Sequence, residues 1–198
     1  MITDINQLDL NKRYSYADYL TWQFDDLVEL IRGRIVRMAP APGTLHQSSS
    51  SDLHVIIGSY LKGKPCKVFS APFDVRLALP AGQQNTDNID TVVQPDISII
   101  CDLSKLDERG CQGAPDWIIE ILSKSTAQKD LNEKFNLYQH AGVREYWIVH
   151  PNEGTVLPFR LNATGTYEPL RPNPFTSPEA VPVGIFPGFA VDLSEVFA

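Results

Sequence analysis

Two carboxylates and one lysine stand where an apolar chain should not tolerate them. Asp96 opens the run Pro95-Asp96-Ile97-Ser98-Ile99-Ile100, and Glu120 interrupts Trp117-Ile118-Ile119-Glu120-Ile121-Leu122. Strand side chains alternate, so Ile118, Glu120 and Leu122 share one face and Trp117, Ile119 and Ile121 the other. Both faces are apolar except at Glu120, which predicts a strand buried on both sides. A lone buried carboxylate is costly unless it is paired, protonated or bound to a cation. Lys134 is equally out of place. At about 100° per residue, Leu131, Phe135 and Tyr138 fall within an arc of roughly 60°, flanked by Leu137 and Ala141. Lys134 lies inside that widened arc, with Asp130 near its edge, whereas a surface helix sends its lysines to the opposite side. Two acids and one inward cation on adjacent elements are what metal-assisted phosphodiester hydrolysis requires. The carboxylates hold a hard divalent ion, and the lysine positions the attacking water or steadies charge on the phosphate.

The elements that must place these residues follow from pattern and punctuation. Residues 1–14 are polar and expected to be a flexible N-terminal segment; residues 15–198 are expected to form a single domain. Ser15 with Asp18 has capping-box spacing for a short helix. Residues 27–38 read as a hairpin around an Arg32-Gly33 turn. Thr44 is a candidate cap for a helix carrying Leu53, Ile56, Ile57, Tyr60 and Leu61, ended by Gly63 and Pro65. Residues 68–79 read as a long strand or bent hairpin arm, 80–90 as a polar loop, and 92–101 and 116–122 as the two central strands. Ser125 with Gln128 marks the start of the Lys134 helix and Gly142 its stop. Residues 145–149 form another strand, and 156–161 an edge strand at best because of Pro158.

Composition permits an enzyme and restricts its partners. The chain has 198 residues, is 43% hydrophobic and carries a formal net charge of -7 with pI near 5.0, enough for one full core but against a broad basic face. Nucleic-acid contact must therefore use local basic patches, for which Arg32, Arg34 and Arg37, then Lys62, Lys64 and Lys67, are the candidates. Cys66, Cys101 and Cys111 have no zinc spacing, and their odd number fits a reducing compartment better than a disulfide scaffold. Polar residues interrupt any apolar core near the N-terminus, and no apolar run approaches the ~18 residues of a membrane span, so a cytoplasmic protein is expected.

Taken in order, these residues resemble the PD-(D/E)XK nuclease superfamily and, within it, the Uma family of restriction endonucleases. The resemblance rests on Pro115 through Ser123, then Ser125-Thr126, Asp130, Lys134, Tyr138 and Gly142 through Val149. Glu29 with Gly33, His46-Gln47, Pro95-Asp96 and the closing Phe186-Pro187-Gly188-Phe189 also fit. It implies an α/β (α+β) fold: a restriction-endonuclease-like mixed β-sheet core flanked by helices, with extra N- and C-terminal β elements. It also implies Mg²⁺ or Mn²⁺ held by Asp96 and Glu120, and DNA as substrate. In the superfamily motif the lysine follows the glutamate by two residues; here Leu122 stands there, and the resemblance assigns the role to Lys134 on the next helix. Lys124, where the family usually has proline, is a competing cation.

The resulting expectation is a metal-dependent DNA endonuclease, working as a homodimer, with the Ile121 carbonyl as third metal ligand and Glu29, His46 and Lys124 as candidate accessory residues. Bland roles stay open for each: Asp96 as a turn residue, Glu120 or Glu29 as exposed strand positions, His46 as a surface residue at a helix entry, Lys134 paired with Asp130. The alternatives are a non-catalytic nucleic-acid-binding or regulatory protein retaining the fold, and a nuclease acting on RNA or branched DNA.

Overall fold

A computed structural model describes residues 2–24, 27–38, 42–77, 89–123 and 129–197, with 129–131 described as backbone. Among these residues the strands form three sheets. The central sheet has the order β12-β11-β10-β9-β6-β3, with β13 also pairing β11. Its members are β3 (Lys67–Ser70), β6 (Ile97–Ile100), β9 (Trp117–Ile121), β10 (Glu145–His150), β11 (Thr155–Leu161), β12 (Tyr167–Pro169) and β13 (Phe175–Thr176). The second sheet, ordered β2-β1-β5-β4-β8-β7, is built from β1 (Val28–Ile31), β2 (Arg34–Arg37), β4 (Val75–Arg76), β5 (Val92–Val93), β7 (Leu106–Asp107) and β8 (Gly110–Gln112). A hairpin of β14 (Ala180–Pro182) and β15 (Ala190–Asp192) is the third. The helices are α1 (Tyr16–Tyr19), α2 (Thr44–Leu61) and α3 (Lys129–Ala141).

Strand alternation divides the core as the sequence pattern requires. Trp117, Ile119 and Ile121 of β9 pack with Leu53, Ile57 and Leu61 of α2 and with the C-terminal hairpin residues Val181 and Val191. Ile118 and Leu122 point the other way, into a cluster with Leu137 and Tyr138 of α3 and with Ile31, Val75 and Val93 of the second sheet. All five residues of β9 are buried. Strands β9 and β10 are parallel, which demands a crossover, and α3 supplies it. The crossover helix stops at Gly142, whose φ of 87° suits glycine; the N–H groups of Gly142 and Val143 both donate to the Tyr138 carbonyl.

Several expectations are met locally. The Ser15–Asp18 capping box forms in both directions, and the 27–38 hairpin turns at Arg32 and Gly33, both with positive φ. Among the described residues no helix is long and apolar enough to cross a membrane.

Other expectations are corrected. Residues 2–14 are not a loose leader: Ile5, Leu8 and Tyr14 are buried against Tyr16, Leu30 and Val92, and Ile2 bridges Trp22. Residues 92–101 do not form one strand; Gln94-Pro95 separates β5 from β6, which belong to different sheets. Residues 68–77 are likewise divided between β3 and β4. Gly43, not Thr44, occupies the position before α2, with no side-chain cap. Pro158 does not mark an edge, because β11 pairs with β10 on one side and with β12 and β13 on the other. Its carbonyl accepts from Leu170 N–H, so its nitrogen faces that outer side, in the gap between β12 and β13, and no ladder bond to β10 is lost.

The three cysteines are not all free. Cys66 and Cys101 are joined in a disulfide, and Cys111 is buried and unpaired. Lys67 pairs with Ile100 across β3 and β6, so Cys66 and Cys101 occupy the next opposed positions. A separation of 35 residues conceals that pairing from a spacing rule. Residues 80–88 of the polar loop expected at 80–90, the Ser125–Gln128 cap and Lys124 lie outside the described residues.

One buried charge ties the C-terminal segment to the central sheet. Glu145, fully buried at the start of β10, accepts from Trp147 Nε1 and from Ile185 N, each at 2.8 Å. Glu145→Ala leaves both donors without a partner and is expected to destabilise the fold by about 2–3 kcal/mol. Denaturant unfolding measures it; an unchanged midpoint would show that the contact contributes nothing.

Candidate active site

The register of the central sheet brings the two acids together. Strand β6 runs antiparallel to β9 with Ile97 opposite Ile119 and Ser98 opposite Ile118. One further step sets Asp96 across from Glu120, on the face that looks toward α3 and the second sheet. The pairing is closed by a hydrogen bond from Ile121 N to Asp96 Oδ2 at 2.7 Å. Asp96 Oδ1 faces His46 Nε2 at 3.2 Å, and His46 sits in the first turn of α2.

Lys134 enters from α3 and is the centre of the cluster. Its Nζ lies 3.0 Å from Glu29 Oε1 and 3.1 Å from Glu120 Oε1. The sequence leaves Lys134 a partner in Asp130; the structure instead sends it inward to two carboxylates from two different sheets. Glu29, in β1, is buried rather than exposed, and its Oε1 also accepts from Gln94 N at 2.9 Å. Both hydrogen bonds that described residues make to the Glu120 side chain fall on Oε1, the second from Tyr138 OH at 2.6 Å.

Electrostatics follow from one cation shared between buried acids. Burial opposes the charge of Lys134, but Glu120 and Glu29 outweigh it and hold its pKa above the ordinary lysine value. Glu120 has only a share of that lysine. Burial, together with repulsion from Asp96 and Glu29, overcomes Lys134 and the Tyr138 hydrogen bond and pushes Glu120 up to about 7. Burial pulls His46 down, but Asp96, the Ile121 carbonyl and Glu120 bring it to a net rise.

The expected site residues therefore divide. Asp96, Glu120, Ile121, Lys134, Glu29 and His46 are brought together. Arg32, Arg34 and Arg37 are exposed on the hairpin; Arg37 donates to Asn6, while Arg34, opposite Ile31, shares the Glu29 face of the hairpin. Lys62, Lys64 and Lys67 gather around the C-terminal end of α2, roughly 20–25 Å along the helix axis from His46. Two participants were given no site role by the sequence, although Tyr138 is among the residues that carry the resemblance. Tyr138 reads as an apolar-stripe residue, and only its i+4 relation to Lys134 marks it. Gln94 contributes its backbone N–H, which no side-chain pattern reports.

The comparisons with known proteins bear on the fold and the family. The architecture is a mixed α/β fold. It superposes on the crystal structure of "a putative nuclease belonging to DUF820" from Anabaena variabilis ATCC 29413 with a TM-score of 0.71, at 23% identity, over 92% of this chain and 97% of that one. At that identity the likeness carries the fold alone. A family model described as "Putative restriction endonuclease", Uma2, matches residues 16–194, and the chain belongs to that family. No curated protein matches.

A stability measurement checks the protonation scheme. A carboxyl whose folded pKa lies above its unfolded value binds more protons folded than unfolded, so stability falls as pH rises between the two. For Glu120 that window runs from 4.5 to about 7. His46, also raised, contributes stability below its unfolded value that is lost as pH rises through its folded one. Metal-free protein is therefore expected to lose stability from pH 5 to 8, and Glu120→Gln to show a shallower decline. A rising profile, or parallel profiles for the two proteins, would contradict the scheme.

Proposed function

We propose that this chain is a metal-dependent DNA endonuclease, hydrolysing phosphodiester bonds with Mg²⁺ or Mn²⁺ at Asp96 and Glu120. The observation that carries the reading is the Lys134 ammonium, bound to Glu120 and Glu29 at 3.1 and 3.0 Å beside Asp96. A buried lysine held charged between acids from separate sheets suits electrostatic catalysis on a phosphate more than it suits stability, since buried ion pairs rarely exceed their desolvation cost.

The residues fit a hard cation. Among the described residues no group of three or more His, Cys, Asp and Glu side chains could hold a metal ion. Asp96 and Glu120, with the Ile121 carbonyl and water, would hold the ion instead, a pattern Mg²⁺ accepts because it keeps several waters. When bound, such an ion supplies Lewis acidity and lowers the pKa of its water.

The chain's own groups perform the rest. Asp96 is oriented by Ile121 N and His46, and Glu120 by Lys134 and Tyr138. Lys134 stays protonated, so it is no general base; it donates to the attacking water or to a phosphate oxygen as negative charge develops. Arg34, exposed on the Glu29 face of the hairpin, is a candidate for a backbone phosphate contact. With a net charge of -7, binding depends on such local contacts and weakens steeply with salt.

Nicking of supercoiled plasmid and of single-stranded DNA at low salt, with Mg²⁺ or Mn²⁺, tests the proposal. Lys134→Met is expected to fold, to bind metal and to cut about 10²–10³-fold more slowly, the loss seen on removing one oxyanion donor. Lys124→Met is the control. Equal cutting by wild type and Lys134→Met would remove Lys134 from catalysis, and loss only in Lys124→Met would move the cation to residue 124. A wild type that cuts neither substrate with either ion would favour the binding-module reading.

A further inference from the structure

Resting on the metal-dependent reading, we propose that Tyr138 is a positioning residue that fixes the Glu120 carboxylate, so that Lys134 can turn to the substrate without the glutamate turning with it. Lys134 and Tyr138 stand one helical turn apart on α3 and both donate to the same atom, Glu120 Oε1, at 3.1 and 2.6 Å. Among the described residues both donors fall on Oε1, which leaves Oε2 for the proposed cation. The terminal torsion of a glutamate is broad and roughly two-fold, so a carboxylate held by one mobile donor would exchange its oxygens. Lys134 is that mobile donor, because its charge must serve the phosphate during reaction. Tyr138 is the fixed one.

Its fixity is visible at both ends. The ring is fully buried and meets Tyr146 edge-on at 5.2 Å, and its carbonyl receives the two N–H groups that close α3. Burial and the nearby Glu120 and Glu29 charges raise the phenol well above its ordinary pKa, so it remains a neutral donor. Outer hydrogen bonds of this kind orient metal-binding carboxylates, and their loss typically weakens metal affinity 10–100-fold. Tyr146 provides an internal comparison. It lies in the same cluster, equally buried, and its hydroxyl has no hydrogen-bond partner among the described residues.

Tyr138→Phe and Tyr146→Phe each remove one buried hydroxyl from the same cluster. Calorimetric titration with Mn²⁺ is expected to show affinity reduced roughly 10–100-fold in Tyr138→Phe and unchanged in Tyr146→Phe. In the nicking assay Tyr138→Phe should lower kcat at saturating Mn²⁺ while KM for DNA stays within about two-fold, since uniform binding is untouched. A wild type that binds Mn²⁺ with a Tyr138→Phe that binds and cuts equally well would overturn this proposal alone. A wild type that binds neither Mg²⁺ nor Mn²⁺ would overturn the nuclease reading and this proposal with it. Should Tyr138→Phe not fold, the wild type still decides: the Tyr138 hydroxyl proton should give a slowly exchanging downfield resonance that persists when Mn²⁺'s diamagnetic counterpart Mg²⁺ is added. Its loss on adding Mg²⁺ would overturn the proposal.

Discussion

The arrangement depends on one interaction, the buried Lys134 ammonium shared between Glu29 and Glu120. Glu29 belongs to the second sheet, Glu120 to the central sheet and Lys134 to the helix that crosses between β9 and β10. A single cation therefore joins three elements drawn from residues more than a hundred positions apart. Burial opposes the charge of Lys134, and the two acids hold it protonated. The cost of so concentrated a charge cluster is carried by the packing on either side. Ile118 and Leu122 flank Glu120 on its own face, and Tyr138 donates to it from α3.

The same cluster explains why Glu120 and Lys134 respond differently to burial. Lys134 has two acids for one charge and stays protonated. Glu120 has part of one cation, with Asp96 and Glu29 close by, and is left with a pKa near neutrality. A divalent ion beside Asp96 and Glu120, as proposed, would relieve that repulsion directly.

Asp96, Glu120 and Lys134 were legible in the sequence because each violates an otherwise consistent apolar pattern, and such violations are concentrated where function overrides packing. Strand alternation also assigned the two faces of β9 correctly, since burial on both sides leaves no ambiguity of register. Glu29 was not distinguishable from an exposed residue, because a short hairpin with alternating polarity is read as half-solvated, whereas its polar face here is covered by α3. The second sheet was missed for a related reason. Its strands β4 and β5 are two residues long and lie only a short link away from β3 and β6 of the central sheet in sequence, so each pair reads as one strand until the chain's corners are known. Tyr138 was hidden by chemistry: a tyrosine in an apolar stripe reports its ring, not the destination of its hydroxyl. The disulfide and the buried N-terminal segment depend on pairing between distant residues, which local pattern does not encode.

The most direct measurement is anomalous scattering from a crystal grown with Mn²⁺. The expected result is one peak bonded by Asp96, Glu120 and the Ile121 carbonyl, with Lys134 retained beside it. A peak held by other residues, or none at this position with Lys134 still bridging Glu29 and Glu120, would show that the cluster is a structural ion pair and not a metal site.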